Sequence, residues 1–359
     1  MAVFDAASYD QHEMVAFHED RQSGLRAIIA LHNCQLGPAV GGLRMYPYTD
    51  DSAALDDVLR LSRGMTYKSA LAGLPMGGGK AVIIGDPRRD KTPALMRAMG
   101  AFIDTFGGRF ITAEDSGTTV ADMREIARRT AYVSGTDEQG GGDPSPYTAH
   151  GVYCGILAAL RQCRGSDRLD GVSVALQGAG AVGRHLAKRL LDAGAKVFVA
   201  DVNRENLDRA VALGAEAVSP ASILSLEVDV LAPCAMGAVL DEQTVEVVRA
   251  GIVAGSANNQ LATPAQARRL FERGILYVPD FVLNAGGIIA VHYQRSAAQG
   301  QQDGCVEQRS LEHIERIAGV LSDIFARAQA QQCDTHSIAE AMAEEKFRPT
   351  SAAPSRRAS

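Results

Sequence analysis

Val172-Ser-Val-Ala-Leu-Gln-Gly178-Ala179-Gly180-Ala181-Val182-Gly183 reads as an apolar strand that breaks into a glycine-spaced turn and then a helix. A helical run over 184–193 follows. A second apolar run, Lys196-Val-Phe-Val-Ala-Asp201, then ends on an acid. A GxGxxG spacing alone is weak, since glycine pairs are common. Here strand, glycines, helix, strand and acid arrive in the order a dinucleotide-binding βαβ unit requires, with the acid about 20 residues past the first glycine. Gly178 permits the tight turn, Gly180 lets a pyrophosphate approach the backbone, and Gly183 lets the helix pack closely. The backbone N–H groups around Ala179, Ala181 and Val182 face the positive end of the helix. A purely structural βαβ turn would explain the glycines but not the placement of Asp201.

Further along, 228–232, 252–254 and 275–278 read as strands, each followed by loop and helix signals. Their C-terminal loops carry Cys234 and Ala235, Asn258 and Asn259, and Asp280. Ligands bind at that edge of an open parallel sheet. Asn258-Asn259 is also what an ordinary Asx turn looks like. Asn284-Ala-Gly-Gly287 begins a helix, and residues 307–330 read as one long amphipathic helix. The Pro-, Ser-, Ala- and Arg-rich tail over 348–359 reads as disordered.

Before the nucleotide motif, 148–163 reads as a connecting helix and 134–146 as a Gly- and Pro-rich linker. The first part of the chain alternates strand and helix, again α/β. Two strands lie within 13–33, and Gly37-Pro-Ala-Val40-Gly41-Gly42-Leu-Arg44 reads as a turn too rich in glycine for helix. A helix follows with Leu55, Val58, Leu59 and Ser62 on one face. Another opens at Thr92-Pro93, and Thr119 with Asp122 forms a capping box for 120–129. Between them stands Gly64-Met65-Thr-Tyr-Lys68-Ser-Ala-Leu-Ala-Gly-Leu-Pro-Met-Gly-Gly-Gly-Lys80. Lys80 follows three glycines and opens the apolar run 81–84. Burying an ammonium without a partner is costly, so a lysine there points to function. The bland alternative is a glycine-rich turn with two snorkelling lysines. The strand over 109–115 ends in two carboxylates, Glu114 and Asp115.

Composition bounds the rest. The chain has 359 residues, 46% hydrophobic and 22% charged, with a net charge of −6, enough for about two globular domains. The lack of a basic run argues against nucleic acid. No stretch is long and apolar enough to span a membrane, and the N-terminus lacks signal-peptide character. Six scattered cysteines with no CxxC read as reduced thiols of a cytoplasmic protein, with no metal site. The expected domains are 1–135 for substrate and assembly, 148–330 for the dinucleotide, and 331–359 for a helix returning to the first domain and a tail.

Taken together, Gly37–Arg44, Met65-Thr-Tyr-Lys68, Leu74–Lys80, Ala113-Glu-Asp115, Asp143-Pro-Ser-Pro146, Ser256-Ala-Asn-Asn-Gln260 and Asn284–Gly287 resemble the glutamate/leucine/phenylalanine/valine dehydrogenases. Within that family they are most similar to the leucine enzymes. The resemblance runs from about Met1 to Val291, and His292-Tyr-Gln-Arg295 departs from it. It implies two domains with the active site in the cleft between them, and a homo-oligomer, octameric or dimeric. It also implies NAD-dependent, reversible oxidative deamination of leucine, valine and isoleucine to 2-oxo acids and ammonia. Phenylalanine or valine dehydrogenase is the alternative within the family, and a catalytically silent nucleotide-binding protein the alternative outside it. Residue by residue, the resemblance implies that Lys68 binds the substrate carboxylate and Lys80 is the general base that activates water. Asp115 relays the proton at the amino nitrogen. Thr148 and Asn259 help to hold nicotinamide and substrate, with Cys234, Ala235, Asn258 and Asn284 at the cofactor. Val40, Gly41, Gly42, Met65, Ala113 and Val291 would line the substrate. Val40 and Val291 stand where the glutamate enzymes carry a lysine and a serine, so glutamate is expected to be rejected.

Overall fold

The computed structural model describes residues 3–136, 143–235, 237–298, 300 and 304–348. The glycines at 140–142 of the expected linker, and the tail from 349 on, lie outside the described residues. The chain divides into two compact units, Met1–Gly140 with Glu340–Ser359, and Gly141–Ala339.

The first unit is a five-stranded mixed sheet. Strands β1 (Met14–Asp20), β2 (Leu25–Asn33), β3 (Ala39–Tyr46), β4 (Gly77–Ile84) and β5 (Phe110–Glu114) lie in the order β1-β2-β4-β3-β5. The β1/β2 and β2/β4 pairs are antiparallel, while β3 runs parallel to both β4 and β5. Helix α1 (Asp51–Leu71) covers one face, and α2 (Pro93–Asp104) with α3 (Val120–Ala127) covers the other. The two-residue period of the strands sorts the side chains. Leu25, Ile29, Leu43 and Ile83 pack with Leu95, Met99 and Met123, whereas Ile28, Ala30 and Val82 pack with Leu55, Val58 and Leu59. The caps follow the local sequence: Asp50 caps α1, Thr92 caps α2 with Pro93 at its first position, and Thr119 and Asp122 form the capping box of α3.

Two expectations need correction here. The glycine-rich 37–44 segment is not a turn but includes the inner strand β3, and the strand expected to open at Lys80 starts three residues earlier, at Gly77, where the bland alternative had a turn. The reason is steric. A Cβ on Gly41 would sit 1.7 Å from Gly79 O, and one on Gly78 would sit 2.0 Å from Thr66 N. The glycines let strand meet strand and sheet meet helix at a distance no other residue allows. The α1 helix also runs straight through Met65 and Lys68.

The second unit opens with α4 (Ser145–Arg164) and continues as β6 (Ser173–Gln177), α5 (Ala181–Asp192), β7 (Lys196–Ala200), α6 (Arg204–Ala212) and β8 (Glu216–Ala217). Then come β9 (Val230–Pro233), α7 (Thr244–Val247), β10 (Ile252–Val253), α8 (Ala265–Glu272), β11 (Leu276–Tyr277) and α9 (Asp280–Leu283). The six strands are all parallel in the order β11-β10-β9-β6-β7-β8. This is the doubly wound arrangement, with its reversal point between β6 and β9. Helices α10 (Gly286–Ala298), α11 (Val306–Glu315), α12 (Ile317–Gln331) and α13 (Thr335–Phe347) complete the chain. The expected single helix over 307–330 is two helices. At Arg316 the N–H bonds to His313 O, a tight turn that separates α11 from α12.

Residues of α13 from Glu340 on belong to the first unit. Glu340 pairs with Arg63 at 2.7 Å, Glu344 accepts from the Tyr67 hydroxyl at 2.5 Å, and Lys346 donates to Ala70 O at 3.0 Å. Phe347 is fully buried, its ring 5.2 Å from that of Tyr67.

Candidate active site

In the first unit, period-2 alternation places Lys80 on the α1 face of β4, two residues before Val82 of that core. On β3, Leu43 and Met45 belong to the opposite core, so Val40, Gly42 and Arg44 share the face of Lys80. The β5 register sets Gly42 opposite Ala113, and Asp115 follows at the end of that strand. A Cβ on Gly42 would lie 2.7 Å from the Asp115 Cβ, so the glycine makes room for the carboxylate. Asp115 is fixed by its own turn: its N–H donates to Thr118 Oγ1 and its Oδ1 accepts from Ser116 N–H at 2.6 Å.

Lys80 Nζ contacts Asp115 Oδ2. Lys80 is only 6% exposed. Burial pulls its ammonium down from the ordinary lysine range to about 7, helped by the positive charges of Arg44 and Lys68 and opposed by the Asp57 carboxylate. The Asp115 contact also favours the charged form. The downward direction stands because the amine has lost its water. Lys68, half-buried on α1, is near enough to act on Lys80 through its charge, and Met65 is half-buried one turn before it. Val40 is buried and Ala113 half-buried.

Three residues beside this pair escape the sequence reading. Arg44 Nη1 donates to Asp57 Oδ2 at 2.9 Å and Nη2 lies 3.9 Å from Asp115 Oδ1. Tyr48 donates its hydroxyl to Asp57 Oδ2 at 2.6 Å. Arg44 lies inside a quoted motif, but Asp57, three positions before Arg60, is indistinguishable in sequence from a solvated helix face.

The second unit gathers its candidates at the C-terminal ends of the parallel strands. Gly178 turns at φ +96°, which only glycine adopts freely, and a Cβ there would strike Ala235 after β9. A Cβ on Gly183 would lie 2.0 Å from Gly178 O, so that glycine closes the turn onto the helix. No side chain caps α5 at Gly180, and a Cβ there would meet nothing within 4 Å. The first turn, at Ala181 and Val182, therefore faces an open cradle whose amide donors suit a pyrophosphate. Asp201 accepts from Ala179 N–H at 2.7 Å and from Asn203 N–H at 2.7 Å, which fixes its carboxylate at the mouth of the cradle. Cys234 Sγ accepts from Ser256 N–H at 3.5 Å, and burial raises its thiol, so it stays protonated. Asn284 is buried and donates to Ser256 O at 3.1 Å and to Asn258 Oδ1 at 2.8 Å. Asn259 takes φ +51°. A Cβ on Gly286 would lie 2.1 Å from Tyr147 O, so α10 abuts the first turn of α4 and sets Thr148 beside it. Val291 is half-buried on α10.

Among the described residues no helix is long and apolar enough to cross a membrane, and no group of three or more His, Cys, Asp and Glu is placed to hold a metal ion.

A glycine cradle at the reversal point of a doubly wound sheet suits a dinucleotide, and in the other unit a buried lysine in contact with an aspartate suits acid–base chemistry. Residues 10–132 match the Glu/Leu/Phe/Val dehydrogenase dimerisation domain, and residues 199–352 match the Glutamate/Leucine/Phenylalanine/Valine dehydrogenase family. The chain is 48% identical to leucine dehydrogenase of Geobacillus stearothermophilus over 95% of its length and 91% of that protein's. It is 46% identical to leucine dehydrogenase of Thermoactinomyces intermedius, over 97% and 94% of the two chains. The crystal structure of L-tryptophan dehydrogenase from Nostoc punctiforme matches with a TM-score of 0.81 at 41% identity, covering 94% of this chain and 96% of that one. The chain belongs to the glutamate/leucine/phenylalanine/valine dehydrogenase family and is an amino acid dehydrogenase.

Proposed function

We propose that the protein catalyses the reversible, NAD-dependent oxidative deamination of leucine, valine and isoleucine to the 2-oxo acid and ammonia, as a homo-oligomer in the cytoplasm. The observation that carries the chemistry is the buried Lys80 amine, in contact with Asp115 and drawn down from the ordinary lysine range by burial.

Lys68 holds the substrate carboxylate through its positive charge. Asp115 takes a proton from the α-ammonium and frees the nitrogen lone pair. When bound, the nicotinamide would supply the oxidising step by accepting hydride from Cα, which leaves a cationic iminium on the substrate. Lys80, neutral, removes a proton from water as the water oxygen bonds to the iminium carbon. Asp115 then returns its proton to nitrogen; Lys80, having released its first proton to solvent, takes the hydroxyl proton as the C–N bond breaks, so that the carbonyl forms and ammonia leaves. Two neighbouring lysines divide the work because only the more buried one loses its proton.

The cradle at Gly178–Gly183 would take the pyrophosphate, Asp201 the adenine ribose hydroxyls, and Thr148, Cys234, Ala235, Asn258, Asn259 and Asn284 would border the nicotinamide end. Asp201 would repel a 2′-phosphate, and Arg204 is already paired with Asp208 at 2.9 Å, so NAD is the cofactor expected. Val40 and Val291 offer a side-chain carboxylate no partner, and stranding that charge costs several kcal/mol, on the order of 3–5. The identity to a tryptophan dehydrogenase keeps a bulky aromatic substrate as the rival reading.

NADH formation with leucine, valine, phenylalanine, tryptophan and glutamate tests the proposal. Leucine and valine should give the highest kcat/KM. A preference for an aromatic substrate would remove the size assignment, and a preference for glutamate would remove the pocket assignment as a whole.

A further inference from the structure

We propose that Arg44, held in place by Asp57 and Tyr48, is a positioning residue for the catalytic pair: its guanidinium orients the Asp115 carboxylate and sets the charge that Lys80 meets. This rests on the reading of Lys80 as the base.

Arg44 stands on β3 between the two strands that carry the pair. One arm of its fork donates to Asp57 Oδ2 at 2.9 Å, and the other lies 3.9 Å from Asp115 Oδ1. Asp57 is fully engaged as an anchor. Its Oδ2 also accepts from the Tyr48 hydroxyl at 2.6 Å and its Oδ1 accepts from Arg60 at 3.1 Å. Burial and the Asp57 carboxylate push the Tyr48 phenol upward, so Tyr48 remains a donor. The Arg44 Nε is buried without a hydrogen-bond partner.

Charge counting gives the reason. The groups facing Lys80 in this unit are Arg44 from β3, Asp57 and Lys68 from α1, and Asp115 from β5. Lys80, Arg44 and Lys68, with Arg60 on the far oxygen of Asp57, make four cations against two carboxylates. Cations are in excess, and the cheapest relief is for one to lose its proton. Arginine does not titrate in this range, and Lys80 is more buried than Lys68. The excess therefore falls on Lys80, and removing Arg44 reduces it.

The titration of Lys80 is measured directly, in the full-length protein without substrate, by the pH dependence of its acylation read by mass spectrometry. In the native protein the midpoint should lie near 7. Arg44→Gln should raise it by about one pH unit, a loss of about tenfold in reactivity at neutral pH. Arg44→Lys, which keeps the charge, should restore most of the effect. Asp57→Asn removes an opposing charge and should move the midpoint the other way. A structural staple would change the melting temperature but would not give shifts of opposite sign. Unmoved midpoints, or movement of both in one direction, would overturn the proposal. If Arg44→Gln does not fold, Asp57→Asn decides alone: a downward move supports the proposal and no move overturns it. The acid limb of kcat/KM should follow the midpoint. If acylation shifts and that limb stays, Arg44 tunes Lys80 as proposed, and it is the reading of Lys80 as the base that fails.

Discussion

Lys80 and Lys68 are the same residue type in one short stretch, yet their surroundings separate them. Lys80 lies on a buried strand against Asp115, and Lys68 is half-buried on a helix. Lys80→Ala should therefore lower kcat by about 10²–10⁴-fold while dinucleotide binding, read by fluorescence titration, persists. Lys68→Ala should chiefly raise KM for the amino acid. A near-normal kcat in Lys80→Ala would remove it from the chemistry. Gly42 gives a sharper geometric test. A methyl group there would lie 2.7 Å from the Asp115 Cβ, so Gly42→Ala should displace the carboxylate and cut kcat, and the forced shift should also lower the melting temperature.

The element that closes the first unit is the end of α13, and its contacts converge on α1 and β2. Phe347 is fully buried between Tyr67 and His32, and Arg348 pairs with Asp10 at 2.9 Å. Truncating that ring should cost about 3–5 kcal/mol, so Phe347→Ala should unfold at clearly lower urea concentration. The same lock depends on pH. Burial, and then the neighbouring His12 ring, pushes His32 down to about 4, and burial also lowers His12. The unfolded chain then binds more protons than the folded one between about 6.5 and about 4. Stability should accordingly fall as pH drops through that window. Asp10 acts lower still: against burial, which would raise it, Arg348 and Arg63 hold it down at about 2. Its contribution is present above the ordinary carboxylate range and is lost as pH falls toward 2. Urea midpoints from pH 7 to pH 4 check this. A flat profile would mean that the two histidines take up protons without loss of the fold.

At the scale of the whole molecule, two α/β units with different sheets divide the labour. The mixed sheet carries Lys80, with Lys68 on the helix α1 that covers it and Asp115 just past β5, and the all-parallel sheet carries the glycine cradle. Asp201, held by two backbone N–H groups, should make kcat/KM higher with NAD than with NADP, and Asp201→Ser should narrow the gap. Equal values in the native protein would contradict the role given to that carboxylate. The protein's mass in solution should be a whole multiple of the 38.0 kDa chain, which native mass spectrometry would read directly.

The sequence by itself determined the elements that depend on short-range chemistry. The caps at Asp50, Thr92 and Thr119 and the strand–glycine–helix–strand–acid order from 172 to 201 rest on neighbours a few positions apart. It also singled out Lys68, Lys80 and Asp115 through motif and resemblance. What only the tertiary structure decided depends on contacts between distant segments. Gly41 and Gly78 lie in paired strands, although glycine locally favours turns, because backbone meets backbone there. A helix over 307–330 breaks at Arg316, where no proline or glycine announces it. Above all, Asp57 and Tyr48 look like surface residues in one dimension. They join the site because β3, α1 and β5 bring charges from remote positions within a few ångströms, where burial makes each of them count.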